Sequence, residues 1–313
     1  MPNPEWNRRN FLVASLGGAT LGSTIVTNSL CGAYATSEPT QPQYRIAACD
    51  WMMLKRQTLG AIERAHECGC DGVEVDMGSL STQPTFTNQF LSDPSFLDKY
   101  VQSCRDSGIA ISSLAMSAFY AQPFHERPIE RPIRDCIETM VRLQQKVAFL
   151  PLGVHGDLIQ FPERRKAIVE RLRQVGRWAA DAHVTIGIET SLPAKDERDL
   201  LGEIGSEAIR IYYNFQNGLR SGRKIIDELE TLGAENIVQI HATNDDGYWL
   251  EDDRAIDMPA IRRVLDQMKW SGWLVLERSR HRDHGRDVKL NFSKNASYLK
   301  RVFQSPAATG GND

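Results

Sequence analysis

The 313-residue sequence has little excess charge of either sign, with 37 Lys and Arg against 40 Asp and Glu and a formal net charge of −3. Its basic residues are dispersed, so it lacks the basic stripe that a nucleic-acid partner usually leaves. Cysteine is scarce. The six residues do not have the spacing of a disulfide framework, and a domain this large does not need covalent staples. Cys49, Cys68, Cys70, Cys104 and Cys136 sit in apolar strand or helix contexts and read as small buried hydrophobes. No apolar run reaches the roughly 20 residues of a spanning helix. The nearest, from Phe11 to about Val26, is rich in Gly, Ser and Thr, so no stable membrane anchor is expected. Internal repeats, low-complexity tracts and a second-domain linker are also lacking.

The first 35 residues read as a segment apart. Arg8 and Arg9 are adjacent, the weakly polar stretch follows, and Ala33-Tyr34-Ala35 supplies an A-x-A cleavage pattern. This resembles a twin-arginine export signal. The resemblance implies cleavage after Ala35, passage through the twin-arginine machinery and a periplasmic or otherwise extracytoplasmic location. That route carries folded proteins, often with a cofactor already bound. Residues 36–43 read as a polar linker and 305–313 as a disordered tail.

Between them, from 44 to 304, short apolar runs alternate with amphipathic stretches. Strands are expected at 44–51, 71–77, 108–116, 146–150, 184–190, 210–215, 237–243 and 273–277, each followed by a helical segment. Eight strands and eight helices in alternation predict an α/β fold, a single-domain (β/α)8 TIM barrel. An open doubly wound sheet would need a Gly-rich phosphate loop after its first strand, and Cys49-Asp50-Trp51-Met52 is not one.

The last strand is the most informative. Trp273, Leu274, Val275 and Leu276 form the unbroken apolar run of a strand covered on both faces, and Glu277 follows. Burying an unpaired carboxylate is expensive, so packing does not account for it. Three earlier strands end similarly, on Glu189, Asn214 and His241. One strand-end acid is often a helix cap, and a lone strand histidine is often a satisfied core residue. Four in succession, at the end where barrel active sites form, predict a joint metal site of Glu189, Asn214, His241 and Glu277.

The stretches IGIET, YYNFQN, QIHATN and LVLERS resemble the sugar isomerase/epimerase-like barrels related to xylose isomerase. The resemblance spans Tyr44 to Phe303. It implies a divalent metal, manganese foremost, with cobalt, magnesium or zinc as alternatives, held by those four positions. One departure stands out: the usual acid of the sixth strand is Asn214 here. An amide can coordinate through its carbonyl, but it removes a negative charge. The Lys-Asp pair common after the histidine is replaced by Thr243-Asn244, which speaks against a sugar-phosphate substrate. Asp257 is expected to cap the helix that follows it.

A divalent ion bridging a carbonyl and its neighbouring hydroxyl lowers the cost of an enolate, and Glu189 and Glu277 can take and return a carbon-bound proton. The sequence therefore predicts a metal-dependent isomerase or epimerase acting on a small-molecule sugar or keto-sugar. A lyase or hydratase on 3-keto-glycosides and a non-catalytic sugar-binding barrel are the alternatives. A DNA repair endonuclease, which shares the broad fold, needs a His-rich multi-zinc cluster and a basic groove, and this chain has only seven His. Glu74, His155 and Trp51 are candidate substrate contacts. Of Glu74 and Asp76, only one is expected to face inward. One of Arg278, Arg280 and Arg282 is a candidate to enter the site, and the acidic loop Asp245–Asp253 reads as a solvated face. A homo-oligomer is compatible with the sequence.

The export reading has a direct test. Replacing Arg8 and Arg9 with lysine should retain the protein in the cytoplasm, and the exported form should begin near Thr36. N-terminal sequencing of purified native protein that finds residues 1–35 intact would contradict it.

Overall fold

The computed structural model describes residues 43–306. The export segment expected over 1–35 lies outside the described residues. So do the 36–43 linker apart from Gln43, and the 305–313 tail apart from Ser305 and Pro306.

Side-chain alternation builds the barrel. In β8 (Gly272–Leu276), Leu274 and Leu276 belong to the large cluster between sheet and helices. Trp273 and Val275 point the other way, into a small axial cluster with Ala47, Ala115, Phe149 and Tyr212. The same two-residue period runs through β1 (Tyr44–Cys49), β2 (Gly72–Asp76), β3 (Ala110–Ala115), β4 (Val147–Pro151), β5 (Thr185–Glu189), β6 (Ile209–Asn214) and β7 (Ile237–His241). Each strand pairs in parallel with the next, and β8 pairs with β1, so the sheet has no edge. This is the expected closed (β/α)8 barrel.

Parallel pairing requires a crossover after each strand. The helices are α1 (Gly60–Glu67), α2 (Gln89–Ser92), α3 (Pro94–Ser107), α4 (Glu130–Arg142), α5 (Arg165–Asp181), α6 (Ala194–Ile204), α7 (Phe215–Arg220), α8 (Ile225–Leu232), α9 (Met258–Gln267) and α10 (Val288–Phe303). Their ends follow local chemistry. Asp93, Asp257 and Asp287 accept backbone N–H bonds at the starts of α3, α9 and α10, and Gly108 closes α3 with φ 65°. The sequence reading misses two short helices, α2 and α7. Each opens on an asparagine cap, Asn88 or Asn214, whose side chain accepts a backbone N–H two residues on. The first strand is shorter than expected. The Asp50 carboxylate accepts from the N–H groups of Gln57 and Asp76, and this turns the chain after Cys49.

All five cysteines among the described residues are free and buried, as their apolar contexts predict. No described helix is long and apolar enough to cross a membrane.

Tight packing at the lower end gives a paired test. A Cβ on Gly72 would lie 2.6 Å from the Trp273 ring and 2.8 Å from the Ala110 carbonyl, and that carbonyl is sheet backbone. Gly72→Ala should therefore cost about 1–3 kcal/mol of stability. Gly202, inside α6 with nothing within 4 Å, should tolerate alanine or gain up to about 1 kcal/mol. Denaturant unfolding of the two variants checks the contrast, and equal midpoints would refute it.

Candidate active site

The inward row of each strand decides what reaches the barrel mouth. Glu189 lies two residues beyond Gly187, Asn214 two beyond Tyr212, and Glu277 two beyond Val275. Asn214 is level with His241 across the β6–β7 pair, and His241 is level with Val275 across β7–β8. The four predicted residues therefore converge, and all are buried: His241 at 0 % exposure, Asn214 at 3 %, and Glu189 and Glu277 at 7 % each.

Two groups join the two carboxylates. The Asn214 Nδ2 donates to Oε2 of Glu189 at 3.0 Å and to Oε2 of Glu277 at 3.4 Å. On the other side, the Tyr120 hydroxyl lies 3.1 Å from Oε1 of Glu189 and 3.3 Å from Oε1 of Glu277. Its single proton serves one of them at a time. The Asn214 carbonyl is used elsewhere: it accepts from the Gln216 N–H at 2.9 Å and caps α7.

His241 lies between two acids, with Nδ1 3.2 Å from Glu189 and Nε2 3.0 Å from Glu74. The Phe149 and Tyr212 rings pack against it, with centroids 4.7 and 4.5 Å away. Burial disfavours a charged imidazole, but the Glu74 charge and the hydrogen bonds to both acids outweigh it and raise the His241 pKa well above its ordinary value. Burial also raises the Glu277 carboxyl; the charge of His241 opposes this and those of Glu189 and Glu74 reinforce it. The Tyr120 hydroxyl is pushed up by burial and by the charges of Glu189 and Glu277.

Glu74 is placed differently from the expected substrate contact. It is fully buried beneath His241, where Ser113 and Tyr212 also donate to it. Its Oε2 lies 3.0 Å from Nε2 of His241, a position from which it fixes the direction of the imidazole. The expectation that only one of Glu74 and Asp76 faces inward fails for a simple reason: positions two apart share a strand face. Asp76 is equally buried, and it pairs with Arg56 and accepts from the Ser117 N–H. Trp51 is half-buried against the axial cluster. The His155 side chain is exposed, and its carbonyl accepts from Arg164.

A cavity of about 490 Å3 opens beside Glu189 and Tyr120. Its walls are the loop after β4 (Leu152, Val154, Asp157, Gln160), Thr190 and Ser191 after β5, and Asn217 and Arg220 of α7. Among the described residues, Arg220 is the only cation on this wall, and its guanidinium pairs with Asp245.

Tyr120 is the residue the sequence reading missed. It sits in a 3-10 turn, Ser117–Ala121, where nothing in the local pattern singles it out. The available hint is distant. Gly153 has φ 64°, and a Cβ there would lie 2.4 Å from the Tyr120 carbonyl, so only glycine lets the two loops touch.

The arginines after Glu277 do not enter the site. Arg278 and Arg280 both bind Asp246, and Arg282 lies over Tyr248. Burial alone would raise the Asp246 pKa, but the two guanidiniums hold it well below the usual carboxylate range. The acidic loop is thus partly tied down by ion pairs rather than fully solvated. Asp257 caps α9, as expected.

The donor set has the chemistry of a divalent-cation site: two carboxylates, and an imidazole whose far nitrogen is held by a third acid. The Asn214 amide departs from that pattern by presenting hydrogens. Among the described residues, no three His, Cys, Asp or Glu side chains already surround one point as ligands. They are hydrogen-bonded to one another instead.

Fold and site define a parallel (β/α)8 barrel with a buried acid–histidine–amide cluster at its C-terminal mouth. The chain belongs to the xylose isomerase-like TIM barrel family, whose model matches residues 62–302. Its fold is similar to that of D-psicose 3-epimerase from Clostridium cellulolyticum H10, with TM-score 0.64 and 13 % identity over 83 % of this chain and 99 % of that one. It is also similar to 3-keto-D-glucoside 4-epimerase from E. coli, with TM-score 0.64 and 15 % identity over 82 % and 99 % of the two chains. A sugar phosphate isomerase/epimerase from Parabacteroides distasonis gives TM-score 0.62 and 13 % identity over 85 % and 96 %. No curated protein matches the chain in sequence.

One acid just behind the cavity yields a pH test. Glu197 accepts from the Thr190 hydroxyl, and burial pushes its pKa from the ordinary 4.5 up to about 8. A raised folded-state value means that its contribution to stability is fully present below about pH 4.5 and is lost as pH rises through about 8. Glu197→Gln should remove this dependence. Relative to wild type, the variant should gain on the order of 1–3 kcal/mol between about pH 5 and pH 8. Parallel unfolding curves at the two pH values would contradict this assignment.

Proposed function

We propose that the protein is a divalent-metal-dependent isomerase or epimerase acting on an unphosphorylated sugar or keto-sugar. The observation that carries this reading is the pair of carboxylates, Glu189 and Glu277, joined through Asn214 and Tyr120 beside the cavity. Glu189, Glu277 and Nδ1 of His241 would hold the metal. Manganese is the first candidate, with cobalt, magnesium and zinc as alternatives. A divalent ion held there supplies Lewis acidity toward a carbonyl and its neighbouring hydroxyl.

The chain's own residues do the rest. On metal binding His241 would release its Nδ1 proton, and Glu74, on Nε2, would hold the tautomer that leaves Nδ1 with a lone pair. One of Glu189 and Glu277 removes the proton from the carbon beside the carbonyl, and the other returns a proton. Return to the opposite face of the same carbon gives an epimer; return to the former carbonyl carbon, with the neighbouring hydroxyl's proton passing to the former carbonyl oxygen, gives an isomer. Tyr120 touches both acids and holds them in place. The lining supports a neutral substrate: Asp157 and Glu189 are acidic, and the guanidinium of Arg220 is already neutralised by Asp245. Export through the Arg8-Arg9 segment would bring the enzyme to free or glycosidic sugars.

The test is solvent-deuterium uptake at carbon, read by NMR across ketoses, aldoses, 3-keto-glycosides and phosphorylated counterparts, with added manganese. Wild-type protein should exchange an unphosphorylated substrate. Glu189→Gln and Glu277→Gln should each slow exchange by about 10²–10⁴-fold. His241→Ala should lose metal by calorimetry. Release of a leaving group without an epimer would favour the lyase alternative. Sugar binding without exchange would leave a non-catalytic barrel.

A further inference from the structure

The geometry points to Asn214 as a positioning residue that donates hydrogen bonds to Glu189 and Glu277 and is not itself a metal ligand. Donors and acceptors around the amide decide this. The Gln216 N–H, 2.9 Å away, can be accepted only by the amide oxygen. Turning the amide over would set its NH2 against that N–H and its oxygen against two carboxylate oxygens. Both changes replace an attraction by a repulsion. The orientation is therefore fixed by two independent sets of partners, and it aims hydrogens at the point where a ligand must aim a lone pair.

A carboxylate at this position would not face the same choice. One of its oxygens could cap α7 while the other faced the metal. An amide has one oxygen, and here it is committed to the cap. What the amide offers instead is a pair of N–H groups matched to the two acids. Two carboxylates held close together in a buried site repel, and these donors reduce that cost without adding charge. The cap also couples the acids to the cavity. α7 carries Asn217, whose side chain donates to the Thr190 carbonyl, and Arg220, and both line the cavity wall. Asn214 thus joins the reacting groups to the element that faces the rest of the substrate.

The inference rests on the metal-dependent reading for its first readout only. Divalent-metal affinity is measured by calorimetry with manganese alone, on wild type, Asn214→Ser and Asn214→Asp. Thermal unfolding of each protein is measured with and without the ion. Serine keeps a capping oxygen but cannot reach the metal position. Asn214→Ser should weaken manganese binding by about 10–100-fold, as loss of a partner that holds the ligands does, and without the ion it should unfold at a lower temperature than wild type, because the two carboxylates lose their shared donor. Asn214→Asp should bind at least about tenfold tighter, a change that a merely structural cap would not produce. Without metal, Asn214→Asp should unfold at a lower temperature than wild type, because a third carboxylate then faces the other two. Metal-free Asn214→Ser that is as stable as wild type would show that the acids do not depend on its donors and would overturn the inference. Wild type that binds no manganese would defeat the metal-dependent reading alone. The inference would then be decided by metal-free Asn214→Asp, which must be less stable than wild type; equal stability would overturn it.

Discussion

Two acids buried side by side are the constraint around which the upper half of this barrel is arranged. Glu189 and Glu277 share one amide through their Oε2 atoms and one phenol through their Oε1 atoms. In a medium of low effective dielectric, such a pair is costly unless every oxygen is answered. Asn214 and Tyr120 answer them from two sides, and His241 adds a charge that its neighbours favour. Each of these groups is fixed in turn by another. Glu74 holds His241, with Ser113 and Tyr212 on Glu74. Gly153 lets the β4 loop close on the turn that carries Tyr120. The Gln216 N–H fixes Asn214.

The loops after β7 and β8 are secured separately. Asp246 binds Arg278 and Arg280, and the Gly247 backbone pairs with His281. Ser279, two residues beyond Glu277, has φ 103°, a conformation rare for a side-chain-bearing residue and worth about 1–3 kcal/mol of strain. Its hydroxyl accepts from the Asn244 N–H and its carbonyl from Asn295, so the surroundings impose the conformation. Strain of this kind immediately after a buried acid fits a chain held in position at the barrel mouth. The lower half of the barrel is filled instead by side-chain packing such as Trp273 against Gly72, with Arg45 over the same indole.

Much of this was legible in the chain. The apolar period marks eight strands, and a polar residue after an unbroken apolar run marks where four of them end. Those four residues do converge. What was not legible has physical causes. Glu74 looks like a cavity residue because an acid near a strand end usually is one. Only closure of the barrel, which sets β2 across the interior from β7, puts it under His241. Tyr120 was invisible because its turn has no period, and its partners lie 69 and 157 residues away. α2 and α7 are too short to show a helical repeat; each is set by one asparagine cap.

The sequence by itself determined the barrel, because a closed parallel sheet follows from local alternation repeated eight times. It also determined which residue types stand at the strand ends. Only the tertiary structure decided what those residues do to one another. An amide carries a donor and an acceptor on one planar group, and nothing in the letter Asn says which faces the site. At Asn214 the choice was made by a backbone N–H two residues away and two carboxylates 25 and 63 residues away. Hydrogen bonds are directional, and direction is settled only when all the partners are in place.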